Sequence, residues 1–158
     1  MAYGDALSSY SDLKNCSDTD LLARMIYAEA RGETEEGKRG CAYVAKNRVD
    51  KNSSEFGGNT YSGVLLKSGQ FAGMSTESAL KPDTTSDAWK DSLDIAKNLS
   101  SKKNPIGTCL WFVTNTYYKN HSKTSGGVEM YTFNNSIYTE VTKKVVIGNH
   151  TFFMLSGY

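Results

Sequence analysis

The chain has 158 residues, enough for one domain that buries its own core without metal or disulfide staples. Apolar residues make up 39% and charged residues 22%, which excludes a disordered chain. The formal net charge is +1, with acids and bases intermixed, so nothing calls for nucleic acid as a partner.

The short runs Lys102-Lys103 and Lys143-Lys144 read as solvated faces. No apolar run approaches the ~18 residues of a membrane span, so membrane insertion is not expected. Met1 to Asn15 has neither the basic start nor the apolar stretch of a signal peptide. The chain then stays inside, leaves by a separate route, or lacks an export signal. Cys16, Cys41 and Cys109 are an odd number at spacings that match no zinc or thioredoxin pattern.

In chain order, residues 1–16 read as a flexible lead-in and 17–158 as a single domain. Ser17 starts the first helix, with Asp20 three positions on, close to a capping box. Leu21, Leu22, Met25, Ile26 and Glu29 then form one amphipathic stripe, and Gly32 is a natural stop. A second helix begins near Thr34, with Gly37, Gly40, Cys41, Val44, Ala45 and Arg48 on one face. Its two glycines suggest the close approach of another backbone.

Residues 50 to 63 read as a loop, and Val64 to Met74 fits no single pattern. A third helix spans about Asp87 to Leu99, capped by Ser86. Thr108 to Thr114, Tyr138 to Ile147 and His150 to Leu155 read as strands, the last two joined by a Gly148-Asn149 turn. Lys123 to Val128 is polar and unplaced. Helices first and strands later give an α+β class, with N-terminal helices followed by a small antiparallel sheet.

Glu29 is the informative position in this pattern. A carboxyl on an apolar stripe is disfavoured in its charged form, so its pKa rises. Glycosidic cleavage needs such an acid to protonate the leaving oxygen. The same spacing equally fits a helix-end Glu29 that reaches solvent or pairs with Arg31 or Arg48. Glu33 is either a second active-site carboxylate or, with Glu35 and Glu36, a favourable charge at the start of the second helix.

The run Leu22 to Glu33, with Glu36-Gly37 and Val44 to Val49, resembles the signature of the SleB/CwlJ-type cell wall hydrolases, which include spore cortex-lytic enzymes. Gln70-Phe71 and the stretch Ile147 to Phe153 resemble further family segments. The resemblance implies a lysozyme-like α+β catalytic domain that acts on peptidoglycan glycan strands, with Glu29 as the catalytic acid.

It also implies a lytic transglycosylase, in which the muramic 6-hydroxyl attacks and one glutamic acid serves as acid and then base. Lysozyme-type hydrolysis with Glu33 as second carboxylate is the alternative. The action lies at the cell wall or spore cortex, with phage-type release, a spore location or a trimmed export signal accounting for its absence here. A monomer is expected, and no cofactor or metal is implied.

Gln70, Tyr27 and Asn47 are candidates for contacts to N-acetyl or hydroxyl groups. Phe71, Trp111, Trp89 and Tyr117 either stack on sugar rings or pack in the core. His150 reads as a hydrogen-bonded structural histidine, and Arg48 as an ion-pair partner of Glu33 or another acid. Three readings from other classes compete. A zinc amidase lacks a histidine-rich ligand set. A cysteine endopeptidase would have to use a thiol that reads as core or strand. A non-catalytic wall-binding module would need the aromatics but no placed acid.

Overall fold

The computed structural model describes residues 2–158. Helices α1 (Asp18–Ala30), α2 (Glu35–Lys51), α3 (Tyr61–Leu65), α4 (Glu77–Leu80) and α5 (Asp87–Lys97) come first. Strand β1 (Trp111–Thr114), helix α6 (Asn115–Asn120) and strands β2 (Ser122–Ser125), β3 (Val128–Tyr131), β4 (Thr139–Ile147) and β5 (His150–Leu155) follow. The strands form one antiparallel sheet in the order β1-β5-β4-β3-β2, so the class is α+β.

The three longer helices start where capping chemistry dictates. Ser17, Thr34 and Ser86 each accept a hydrogen bond from the backbone N–H three residues on, at Asp20, Gly37 and Trp89. Asp20 does not complete a capping box. Its carboxylate instead accepts from Gly4 N–H (2.9 Å) and Arg24 Nε (3.0 Å). Helix α2 ends on Asn52, whose left-handed φ of 52° lets its N–H reach the carbonyls of Arg48 and Val49.

The segment expected as a flexible lead-in is packed against the helices. Leu7 and Leu13 are buried, and residues 10–15 form a 3-10 helix. The buried guanidinium of Arg24 ties this segment down. It donates to Asp5 O (2.6 Å) while also bonding the carbonyls of Ala79 (2.9 Å) and Leu80 (3.0 Å) at the end of α4. The sequence suggested no tie because these acceptors are backbone carbonyls, which any residue supplies.

The main core joins Leu21, Leu22, Met25 and Ile26 of α1 to Cys41, Val44 and Ala45 of α2 and to Phe152 of β5. Fully burying such a side chain contributes roughly 1.5–3 kcal/mol. Gly40 serves this contact, but the close neighbour is a ring and not a backbone. A Cβ there would lie 2.7 Å from Phe152 Cζ. A second cluster of Phe56, Leu110, Trp111, Tyr118, Tyr131, Phe153 and Leu155 fills the space around the other end of the sheet.

Strands β2 and β3 were not anticipated. They pair Ser122 with Tyr131 and Ser125 with Val128 across Gly126-Gly127. Both glycines have positive φ, 58° and 81°, as a tight two-residue hairpin of this hand requires. The β4–β5 hairpin turns at Gly148-Asn149, as expected, with Gly148 at φ 58°. This turn points back at the helices, and that is its importance for the site.

Candidate active site

Glu29 sits in the last turn of α1, where the stripe of Leu22, Met25 and Ile26 runs out toward the surface. A 3-10 turn over residues 72–75 lies against it. Gly73 N–H donates to Glu29 Oε1 at 2.8 Å. Gly73 is required for that approach, since a Cβ there would stand 2.9 Å from Oε1. Burial pushes the Glu29 carboxyl above the ordinary carboxylate range, and the Gly73 bond only partly opposes this.

Glu33 lies in the α1–α2 connection, and its environment acts the other way. Its Oε1 accepts from Asn149 N–H (2.9 Å) and its Oε2 from Asn149 Nδ2 (3.0 Å). Burial alone would raise its pKa. The two Asn149 bonds, with His150 and Lys38 nearby, outweigh burial and hold the carboxyl below its usual range. The two glutamates are thus driven apart in acidity, one toward a neutral acid and one toward a fixed anion. Gly148 again allows the contact, as a Cβ there would meet Glu33 Oε1 at 2.7 Å.

His150 is buried, with Nδ1 3.7 Å from Glu33 Oε1 and no hydrogen-bond partner for that atom among the described residues. It is therefore not the hydrogen-bonded histidine expected. Burial lowers its pKa, and Glu33 opposes this. Arg48 is not the partner of Glu33 either. It is 4% exposed and lies between the rings of Phe56 (4.8 Å) and Phe71 (5.0 Å). It donates to Leu110 O (2.7 Å) and Gln70 Oε1 (3.0 Å), both neutral. The sequence offered acids as partners, but an arginine in an apolar slot is served equally well by carbonyls.

A cleft of about 510 Å³ opens at Ala72, next to the turn that holds Glu29. Its walls include Arg48, Gln70, Ala72, Phe112, Tyr117 and Phe133. Glu29 is not itself on these walls. The cleft reaches it through Ala72, whose neighbour Gly73 holds the carboxyl.

The other expected contacts divide. Gln70 is exposed in the cleft, and Phe71 is buried behind it against Arg48 and Phe112. Trp111 lines the cleft, but its ring is packed on Phe153 and Tyr158, so it serves chiefly as floor. Asn47 is spent on structure, with Nδ2 donating to the carbonyls of Gly107 (2.8 Å) and Cys109 (3.0 Å). Tyr27 is packed edge-on against Trp89 in a separate cluster between α1 and α5, so neither ring joins the cleft.

The cysteines do not suit nucleophilic chemistry. Burial pushes Cys16 and Cys109 up to about 11, and Cys41, inside α2, well above its ordinary value. A nucleophilic thiol needs the opposite shift.

The sequence profile of the Cell Wall Hydrolase family matches residues 32–153, more than half of the chain. The chain belongs to the cell wall hydrolase family. The match begins three positions after Glu29, so the case for that residue rests on its geometry. Two solved structures resemble this cell wall hydrolase over nearly its whole length. One is the catalytic domain of the germination-specific lytic transglycosylase SleB from Bacillus anthracis. It has 23% identity and a TM-score of 0.53, covering 93% of this chain and 97% of that one. The other is the catalytic domain of the Bacillus cereus SleB protein, with 25% identity and a TM-score of 0.53, covering 98% of each chain. No curated protein matches the chain. Family membership makes this hydrolase an enzyme and displaces the reading as a non-catalytic wall-binding module.

Residues that the sequence reading did not single out complete the site. Gly73 acts through its backbone, across 44 positions, and no side-chain pattern marks it. Asn149 was visible as a turn residue and within the family-like stretch Ile147 to Phe153, but not as the partner of Glu33. Phe133 and Tyr131 lie in a region with no strand signal.

Proposed function

We propose that this hydrolase cuts the β-1,4 bond between N-acetylmuramic acid and N-acetylglucosamine in peptidoglycan glycan strands. In this reading it is a lytic transglycosylase with Glu29 as general acid and base. The observation that carries it is the environment of Glu29. Its carboxyl is partly buried, raised in pKa by that burial, and held by a single backbone donor. Burial favours the protonated form that a general acid needs. The likeness to the Bacillus anthracis lytic transglycosylase SleB supports the same reading.

Each step balances. Glu29 gives its proton to the glycosidic oxygen, the bond from the muramic anomeric carbon to that oxygen breaks, and positive charge grows on the sugar. The Glu29 carboxylate then takes the proton of the muramic 6-hydroxyl. That oxygen closes on the anomeric carbon, and Glu29 is protonated again. No water is consumed. Gln70 contacts the strand, a monomer is the acting unit, and the cell wall or spore cortex is the place of action.

Hydrolysis with Glu33 activating water is the second reading. It is less favoured because both Glu33 oxygens are already occupied by Asn149. We assign Glu33 to holding the β4–β5 turn against the helices. Mass spectrometry of fragments from purified peptidoglycan, for wild type and Glu29→Gln, tests both. Anhydromuramic ends that vanish with the variant are expected. Reducing muramic ends would favour hydrolysis and return Glu33 to the chemistry, and undiminished cutting by Glu29→Gln would overturn the assignment of the acid.

A further inference from the structure

The end of the cleft built on the second apolar cluster has features that the cleavage chemistry does not use. Two large rings stay exposed there, Tyr117 at 46% and Phe133 at 54%. Both are held rigidly. One face of Tyr117 stacks on His121 at 3.8 Å between centroids, and the His121 Nδ1 lies 2.8 Å from Tyr117 O. Phe133 packs edge-on against Tyr131 (5.0 Å) and tilted on Trp111 (5.7 Å). Fixed rings with open faces lose little freedom when something flat settles on them.

Two polar groups there are neutral, the Tyr131 hydroxyl and the Gln70 amide. Tyr131 lines the cleft and is 1% exposed, yet its hydroxyl has no hydrogen-bond partner among the described residues. A buried hydroxyl without a partner is costly, and a ligand that supplies one removes that cost. Gln70 is oriented by Arg48. An arginine only donates, so Gln70 gives it the carbonyl oxygen and turns its –NH2 into the cleft. The carboxylate on this wall, Glu55, is engaged by the hydroxyl of Tyr158 (2.7 Å).

Exposed aromatic faces beside uncharged hydrogen-bonding groups suit an acetamido sugar. Its ring has an apolar C–H face, its hydroxyls lie at the rim, and its acetamide oxygen accepts from a neutral donor.

We infer that Tyr117, Phe133, Tyr131 and the –NH2 of Gln70 form a sugar subsite that holds an N-acetylhexosamine unit of the same glycan strand. The inference rests on the glycan-cutting reading. The subsite lies on a different apolar cluster from the helices that carry the acid, and the cleft connects the two through Ala72. It grips sugars that flank the bond being cut and gives the enzyme a preference for long strands. Arg48 is a positioning residue, fixing the amide of Gln70.

The test measures binding of a peptide-free strand of eight alternating sugars to Glu29→Gln protein by calorimetry. Adding Phe133→Ala or Tyr117→Ala to that parent should weaken binding roughly three- to tenfold each. Tyr131→Phe, which removes only the oxygen, should weaken it by about two- to tenfold. Ile137→Ala, 70% exposed and outside the cleft walls, should leave binding unchanged. If the parent binds and all three cleft variants bind equally well, the subsite is refuted and the glycan-cutting reading stands. If the parent fails to bind while wild type cuts peptidoglycan, the subsite is again refuted alone. If wild type releases no sugar fragments at all, the broader reading fails first.

Discussion

Replacing Gly73 by alanine separates the placing of the acid from the stability of the fold. Gly73 is not in the left-handed region, so alanine meets no backbone penalty, and the whole effect is contact. The new Cβ would lie 2.9 Å from Oε1 and 3.0 Å from Cδ of Glu29, and 3.2 Å from Ala28 Cβ. The carboxyl is the free end of a flexible side chain and swings away, while Ala28 on its helix gives a few tenths of an ångström. The cost in stability is about 1 kcal/mol, or roughly 2–4 °C in Tm for a chain of this size.

The cost in activity is far larger. The displaced carboxyl loses its only backbone donor, and a ~1 Å misplacement of a reacting group costs on the order of 10²-fold in rate. The sign of the pH effect follows from the same bond. Gly73 N–H favours the ionised carboxylate, so losing it drives the Glu29 pKa further up. The alkaline limb of kcat/KM, which reports the acid in the free enzyme, should move to higher pH. Release of soluble fragments from purified peptidoglycan across a pH series, beside a thermal melt, measures all three. Unchanged activity in a protein of lowered Tm, or an alkaline limb displaced to lower pH, would refute the argument.

Three further outcomes are expected. Glu29→Gln should abolish cutting yet raise Tm at neutral pH. Burial lifts the wild-type carboxyl above its unfolded value, so wild type loses stability as pH rises through that window, and the two proteins should converge in acid. Glu33→Ala should cost about 2 kcal/mol in urea denaturation at neutral pH by removing a charged acceptor for two bonds. Because the folded pKa of Glu33 is depressed, that gap should close as pH falls through it. Arg24→Ala should cost roughly 3–5 kcal/mol, since it leaves Asp20 buried and unpaired and frees the carbonyls of Asp5, Ala79 and Leu80; a melt within a few degrees of wild type would contradict the clamp.

Much of the helical part could be read directly from the sequence. Ser17, Thr34 and Ser86 announce helix starts by a local rule, and the stripe from Leu21 to Glu29 puts Glu29 on the buried face of α1 without any tertiary information. The β4–β5 turn was equally local. What escaped is what depends on partners distant in the chain. Strand β2 is the local exception, a polar stretch that becomes a strand only because β3 pairs with it across two glycines. Gly73 reaches Glu29 with a backbone amide, and Asn149 reaches Glu33 across 116 positions. The aromatics failed for another reason. Trp89, Trp111, Tyr117 and Phe133 are alike as residue types, and only the packing decides which face stays open.

The bond from Asn149 to Glu33 also has a temporal meaning. Helices α1 and α2 can pair as they leave the ribosome, since they are neighbours in sequence. The turn that follows α1 stays unsecured until residue 149 has been made, which at about 5–20 residues per second is several seconds later. A nascent chain therefore carries Glu29 early but not the bond that secures the turn beyond it, and a product truncated before Asn149 lacks that bond altogether.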